Sequence, residues 1–267
     1  MMKAKRMLVT GAAGGLVTLI RDGLPALCEE LVLSDIVEMG AKRPGESEHI
    51  LCDLEDAAGV AELVKGCDVI LHFGGIGREN TADIIHRVNI LGLYNLYEGA
   101  RAAGGSRILF ASSNHAIGFY PREQQLTPST PPRPDSNYGV AKVYGEALAQ
   151  LYWWKYGVET MSVRIGSCFE KPMDRRMMAT WLSPGDMLRL IARMIDAPRL
   201  GCPIVYGASK NKQQWWDNTE VGYLGWEPED TTEQFDGMFD HLPPEDPHDP
   251  AIVYHGGGFA KAGHFED

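Results

Sequence analysis

Tyr138 and Lys142, four residues apart in the run YGVAK, have the side chains needed for a proton transfer. The run YGVAKVYGEALAQLYWWKY predicts a helix over 138–156, and residues four apart lie on one face of a helix. A free phenol ionises too weakly to act as a base at neutral pH, but a nearby ammonium and a bound nicotinamide cation favour the tyrosinate. The same spacing also arises by chance, with the tyrosine merely stacked on the aliphatic part of the lysine. The surrounding motifs must therefore decide between the two interpretations.

The loop TGAAGGL places Gly11, Gly14 and Gly15 between a predicted strand at 6–10 and a predicted helix at 16–27. Small residues there let backbone N–H groups approach a pyrophosphate, and the helix N-terminus adds positive potential. A simple tight turn is the alternative interpretation. The spacing G-x-x-G differs from the commoner dehydrogenase pattern. The loop nevertheless predicts a dinucleotide site.

Asp35 ends the second predicted strand, at 31–35, where its carboxylate can accept hydrogen bonds from ribose hydroxyls and would repel a 2′-phosphate. No arginine follows it in Ile36-Val37-Glu38, so NAD is favoured over NADP. Asp53, followed by Leu54, is a second candidate, for the adenine edge. An exposed loop aspartate explains Asp53 nearly as well.

Strand and helix patterns alternate through the first part of the chain and predict an α/β fold with a Rossmann-type, doubly wound parallel sheet. We assign 1–170 to the NAD-binding core and 171–267 to a small C-terminal substrate-capping lobe with its tail, within one integrated domain. Further helices are predicted at 57–64, 83–103, 138–156 and 184–195, and further strands at 68–73, 107–113, 160–166 and 203–207. The last residues, YHGGGFAKAG, are interpreted as loop.

Composition excludes several classes of function. Asp and Glu number 36 against 25 Lys and Arg, a net charge of −11 that repels nucleic acid and anionic membranes. The five cysteines are scattered and never form a C-x-x-C pair, which argues against a disulfide framework and a metal site. We find no secretory signal and no run long enough to span a bilayer, so we expect a cytoplasmic protein. The acidic surplus also suits a high-salt host, and that question stays open.

Several motifs together resemble the extended short-chain dehydrogenase/reductase family over roughly the first 170 residues. They are TGAAGG, Asp35, Asp53-Leu54, HFGGIG, Asn89-Ile90-Leu91-Gly92, SSN and the pair Tyr138 and Lys142. The resemblance implies that Ser113 hydrogen-bonds the reacting oxygen and that Asn89 supports the lysine and a water path for the proton. It also implies that NAD is bound by Gly11, Gly14, Gly15, Leu16, Asp35, Asp53, Leu54, Phe73, Gly74, Gly75 and Lys142.

Within that family the chain resembles the uronate dehydrogenase subfamily through FASSNHAIGFYP, VRIGSC, RMMATW, LGCPIVYGAS, WWDN and the terminal GGGF. That resemblance implies oxidation of the C1 hydroxyl of cyclic glucuronate or galacturonate to an aldaric lactone, in a homo-oligomer. Arg176 would bind the uronate carboxylate, because a guanidinium pairs with a carboxylate through two hydrogen bonds; Arg175 is the competing choice. His115 is as consistent with a structural imidazole as with a substrate contact. The implied substrate-binding residues are Gly77, Ser113, Asn114, His115, Ser167 and Arg176.

The chain departs from the expected patterns at two positions. Val17 stands where the family loop has a third glycine, so crowding of the first helix is expected to weaken NAD binding. Gly77 stands where the subfamily tends to carry a substrate-facing serine. Two other functions stay open. One is a nucleotide-sugar epimerase or dehydratase, which needs a larger C-terminal lobe. The other is a non-enzymatic NAD-binding regulator, which would not need an intact Tyr138 and Lys142.

Overall fold

The computed structural model describes residues 2–265, built around one seven-stranded parallel sheet. The strand order is β3-β2-β1-β4-β5-β6-β9, so the chain moves from β1 toward one edge and then returns to β1's other side. Ligands bind at such a switch point, outside the carboxyl ends of the strands. The strands are β1 (Ala4–Thr10), β2 (Cys28–Asp35), β3 (Glu48–Leu51), β4 (Val69–His72), β5 (Arg107–Ser113), β6 (Thr160–Ile165) and β9 (Ile204–Gly207), with β7 (Ser167–Cys168) and β8 (Trp181–Leu182) as a separate pair.

Helices cover both faces of the sheet, as the alternating pattern predicts. The helix α1 packs against α7 on one face, and α2 packs against α4 on the other. The α-helices are α1 (Gly15–Ile20), α2 (Ala57–Leu63), α3 (Ala82–Ile85), α4 (Gly92–Ala102), α5 (Asn137–Tyr156), α6 (Met177–Thr180), α7 (Pro184–Asp196), α8 (Pro250–Val253) and α9 (Gly258–Lys261). Shorter 3-10 segments cover Arg21–Leu27, Asn114–Ile117, Thr219–Leu224 and Thr232–Phe235.

The α/β class is confirmed, but three local expectations differ from the structure. The first helix ends at Ile20 and continues as a 3-10 segment, because Pro25 has no N–H to donate. The expected helix over 83–103 is α3 and α4 joined by a π-helix, His86–Leu91. The edge strand β3 was not expected, since its four residues are exposed or half-buried and carry no apolar pattern.

The sheet continues past residue 170, because β9 pairs with β6 and α7 covers the same sheet. The C-terminal stretch interpreted as loop, 254–263, contains all of α9, and α8 ends just before it, so that interpretation was wrong. Its backbone is tied to the core, since His255 N donates to Tyr120 O at 2.9 Å and Gly256 N to Gly118 O at 2.9 Å. The segment is therefore fixed beside the end of β5.

Val17, the residue in the third-glycine position, is fully buried in the apolar cluster that α1 shares with α7 and the sheet. In residues 2–265, no helix is long and apolar enough to cross a membrane. Nor do the described His, Cys, Asp and Glu side chains form a group that could hold a metal ion.

Candidate active site

The glycine loop after β1 closes tightly on the loop after β4. Gly11 has φ +70°, and a Cβ there would lie 2.6 Å from both Gly74 N and the Phe73 carbonyl carbon. Gly14 N donates to Gly11 O at 3.0 Å, and Gly14 is the N-cap of α1. Gly15 and Leu16 follow in the first turn of α1 and line the adjoining cavity. The loop thus offers a backbone surface without side-chain obstruction, which suits a pyrophosphate.

A cavity of about 410 Å³ lies beside this loop, between the ends of β1, β2 and β4. Asp35 lines it, with its carboxylate oriented by Ala13 N at 2.9 Å and Ile36 N at 2.7 Å. Asp53, Leu54, Phe73, Gly74 and Gly75 also line it. The lining holds no lysine or arginine, so a ribose bearing hydroxyls fits better than one bearing a 2′-phosphate. These residues fit NAD.

A second cavity, of about 830 Å³, shares Gly11, Gly14 and Gly75 with the first and extends to the ends of β5 and β6. It brings together Ser113, Tyr138 and Lys142, which the sequence associates only by pattern. The Lys142 ammonium nitrogen lies 5.3 Å from the centre of the Tyr138 ring. Tyr138 and Lys142 are both almost completely buried.

Burial acts on this pair in opposite directions. It raises the pKa of Tyr138 to about 12, against a hydrogen bond with Ser113 that lowers it. It lowers the pKa of Lys142 to about 8. Near neutral pH the protein alone therefore holds a phenol beside an ammonium, a pair poised for the phenol to lose its proton once further positive charge arrives.

The first turn of α5 is held from outside the helix. The carboxylate of Glu79 accepts hydrogen bonds from Asn137 N at 3.0 Å and Tyr138 N at 2.8 Å. Ser136 caps the same end by accepting from Gly139 N at 3.0 Å. Glu79 was missed by sequence reasoning, because it lies on the loop after β4, far from α5 in the chain.

One buried carboxylate joins the three elements that carry the reacting groups. Glu146, two turns beyond Tyr138 on α5, forms a two-pronged ion pair with Arg164 of β6, both distances being 2.9 Å. It also accepts from Ser112 Oγ at 2.7 Å, one residue before Ser113. The relative position of helix and strands is thereby fixed.

Arg176 also lines the second cavity, and its guanidinium donates to the His255 carbonyl at 3.2 Å and to Ser167 Oγ at 3.4 Å. Within residues 2–265 it makes no ion pair, and burial lowers its pKa. Arg175 instead donates to the carbonyls of Phe239, Leu242 and Pro243 and does not line the cavity. Of the two neighbours, only Arg176 offers a cation to a ligand in this cavity.

Three smaller groups complete the lining. Asn114 lines the cavity, and its Nδ2 is buried with no hydrogen-bond partner in the described part of the chain. His115 lines the cavity with its ring stacked on Phe259, the two centres being 3.8 Å apart. A Cβ at Gly77 would meet no atom within 4 Å, so the cavity has spare room at this point. Phe259 was missed as a site residue, although the GGGF run was the signal.

Asn89 lies in the π-helix between α3 and α4. The π-helix directs its amide onto the backbone of Ile76, accepting from Ile76 N at 2.8 Å and donating to Ile76 O at 2.9 Å. It is not among the residues that line the cavity. Its visible action is to hold the loop after β4, which carries Gly75 and Gly77.

Fold and site together define a dinucleotide-dependent enzyme of the Rossmann type. The family model for the NAD dependent epimerase/dehydratase family matches residues 7–215. A uronate dehydrogenase of Pseudomonas putida is 47% identical over 260 residues, which cover 97% of either chain. The crystal structure of a glucuronic acid dehydrogenase from Chromohalobacter salexigens matches with a TM-score of 0.97 and 51% identity over 99% of each chain.

A mutant uronate dehydrogenase from Agrobacterium tumefaciens, solved in complex with NAD, matches with a TM-score of 0.93 and 48% identity over 97% of this chain and 98% of that one. The chain therefore belongs to the NAD dependent epimerase/dehydratase family. The resemblance to the uronate dehydrogenases, the NAD-dependent oxidoreductase class and NAD as the cofactor are all confirmed.

Proposed function

We propose that this protein oxidises the C1 hydroxyl of a cyclic hexuronate, glucuronate or galacturonate, to the aldaric lactone. The observation that carries the proposal is that Tyr138, Lys142 and the unpaired Arg176 line one cavity. A base and a carboxylate partner in one cavity suit a sugar that carries both a reacting hydroxyl and a carboxylate. The named activities of the relatives agree with this assignment.

In the proposed reaction Tyr138 accepts the proton of the C1 hydroxyl while the C1 hydrogen leaves as hydride. Bound NAD would supply the hydride acceptor and the positive charge of its nicotinamide. Lys142 stabilises the tyrosinate by its own charge. Ser113 holds the reacting oxygen, and C1 becomes the carbonyl carbon of the lactone. The proton then passes from Tyr138 to solvent.

Arg176 is proposed to select an anionic sugar. A half-buried guanidinium without a counter-charge gains more from a carboxylate than an exposed one, because water screens it less. Asn114, His115, Ser167 and Gly77 also line the cavity, and we propose that they contact the ring hydroxyls. The two uronates differ at a single hydroxyl, so these residues are proposed to distinguish them.

The first test mixes the purified protein with NAD and either uronate and follows absorbance of the reduced nicotinamide. Turnover that disappears in Tyr138→Phe supports the proposal and ranks the two sugars. Arg176→Ala should abolish turnover of uronates, and Arg175→Ala is the matched control, since Arg175 contacts only loop carbonyls. Wild-type protein that binds NAD but reduces none with either sugar would contradict the proposal.

The proposed homo-oligomer is supported by an apolar stripe on the outer face of α5. Leu151 and Trp154 are 50% and 79% exposed, which is unusual for side chains of their size. The spacing places one residue per turn on this face, as in helix-to-helix interfaces. The stripe consists of Val140, Val143, Tyr144, Ala147, Leu151 and Trp154.

Light scattering tests the oligomer directly. We expect more than one chain per particle. Leu151→Glu should release single chains, whereas Lys65→Glu, an exposed change just beyond the end of α2, should not. A monomeric wild-type protein would overturn this part of the proposal. The cytoplasmic location is likewise proposed; the five free cysteines agree with a reducing compartment, and cell fractionation tests it.

A further inference from the structure

Asp135 is a buried carboxylate beside the catalytic cavity that no sequence motif indicated. Its side chain has no exposed surface, and it lies on the loop just before α5. Oδ2 lies 2.8 Å from His115 Nδ1, and Oδ1 accepts from Ser136 Oγ at 2.8 Å. Ser136 in turn caps α5 through Gly139 N. One carboxylate thus holds both a cavity-lining ring and the first turn of the catalytic helix.

The fold makes a close-fitting socket for this carboxylate. Gly118 follows the 3-10 turn after β5, and Gly256 belongs to the C-terminal segment; a Cβ at either position would collide with Asp135 Oδ2. The two glycines are joined by the hydrogen bond from Gly256 N to Gly118 O. Any larger residue would push the carboxylate away from His115. The position of Asp135 is therefore set by two separate parts of the chain.

The contact fixes how His115 can bond. An ionised carboxylate only accepts hydrogen bonds, so the Nδ1 that faces it must carry the hydrogen. The other nitrogen of the neutral ring, Nε2, then presents a lone pair. Nε2 makes no hydrogen bond to another described residue. It is also not one of the fully buried polar atoms that lack a partner, and the ring lines the 830 Å³ cavity.

The ring is also held against rotation. Phe259 stacks on one face with centres 3.8 Å apart, and Tyr138 meets it edge-on at 5.7 Å. Because the ring cannot rotate, His115 Nε2 can accept a hydrogen bond only from a donor at one position, close to Tyr138. In a sugar that donor is a hydroxyl.

We propose that Asp135 is a positioning residue that fixes His115 as a hydrogen-bond acceptor for one hydroxyl of the sugar, so that the site requires a hydroxyl donor there. This rests on the proposed uronate oxidation. Burial is the main reason that the pKa of Tyr138 is raised. The charge of Asp135 raises this pKa further, so the carboxylate makes Tyr138 harder to ionise.

The test is a double-mutant cycle on the full-length enzyme with Asp135→Asn, His115→Gln and the double variant. Each single change should raise KM for the uronate severalfold, up to about tenfold, the usual scale for one hydrogen bond between neutral groups, and leave NAD affinity unchanged. The double variant should be no worse than His115→Gln, because Asp135 acts through His115. Losses that multiply, or that extend to NAD affinity, would show a merely structural role and overturn the proposal.

Deoxy substrates add a readout that instability does not mimic. Among 2-, 3- and 4-deoxyhexuronates, one should be discriminated against by the wild type and accepted nearly equally by Asp135→Asn. Equal discrimination in both proteins would contradict the proposal. If Asp135→Asn does not fold, the nitrogen-15 spectrum of wild-type His115, assigned by comparison with His115→Gln, provides the test. A hydrogen on Nε2 of the neutral ring would overturn the proposal. Wild-type enzyme inert toward both uronates would instead overturn the proposed function itself.

Discussion

Replacing Lys142 by methionine removes a charge from beside the proposed base while keeping nearly the same side-chain length. In the wild type the ammonium nitrogen lies 5.3 Å from the centre of the Tyr138 ring, and both groups are buried. The tyrosinate is the reactive form, so the rate rises with pH as the phenol ionises. Because burial raises the pKa of Tyr138 to about 12 in the protein alone, where Lys142 is already present, the further positive charge of bound NAD is needed to lower it for activity near neutral pH.

The size of the effect follows from Coulomb's law. At a separation of about 5 Å and an effective dielectric constant of about 20, two unit charges interact by about 3 kcal/mol. That corresponds to about 2 pH units in the ionisation of Tyr138. Lys142→Met should therefore shift the ascending limb of the kcat profile upward by about 2 units. Below about pH 8, where Lys142 is charged, the rate should fall about a hundredfold.

The assay is kcat against pH at saturating NAD and uronate for the wild type and Lys142→Met, with Tyr138→Phe as the inactive baseline. NAD affinity is measured separately, because Lys142 is also expected to contact the nicotinamide ribose. A fall in rate with the limb at its original pH would refute the electrostatic role of Lys142. The residue would then act through cofactor binding alone.

Three further changes test other parts of the structure. Gly11→Ala forces a side chain into a left-handed backbone 2.6 Å from Gly74 N, so NAD affinity should fall at least about tenfold in a binding titration; unchanged affinity would place the pyrophosphate elsewhere. Glu146→Gln leaves Arg164 buried without its counter-charge and should cost about 3–5 kcal/mol in denaturant unfolding. Gly77→Ser adds a hydroxyl in open space and should lower KM for the uronate at unchanged melting temperature, whereas a raised KM would mean that the substrate fills this space.

Much of the fold was predictable because its strands are short apolar runs bounded by glycine or polar residues, and its helices follow them in regular alternation. The bounds of β5 and nearly those of α5 came directly from this pattern. The edge strand β3 could not be found in this way, because its half-exposed residues have no period. The π-helix was equally hidden, since the same residues are compatible with a continuous α-helix and only packing decides between them.

The site residues likewise fall into those that a local sequence pattern could locate and those that it could not. Tyr138 and Lys142 were found because their relationship is local, one turn apart on one helix. Glu79, Asp135 and Phe259 were not, because each acts on a residue far away in the chain, and no spacing rule connects them. The motif also located Asn89, but only the structure shows that its amide bonds to the backbone of Ile76.

A chain with a large negative net charge that is proposed to bind two anions must attract them through local groups at its binding site. The net charge of −11 repels both NAD and a uronate at a distance, and salt screens that repulsion. Inside the site the roles are divided: the pyrophosphate meets backbone groups of the glycine loop, and the sugar end meets Arg176. Because Arg176 is partly withdrawn from water, its attraction for a carboxylate is screened far less than the surface repulsion. Specificity for an anion can thus rest on one buried guanidinium while the surface stays strongly acidic.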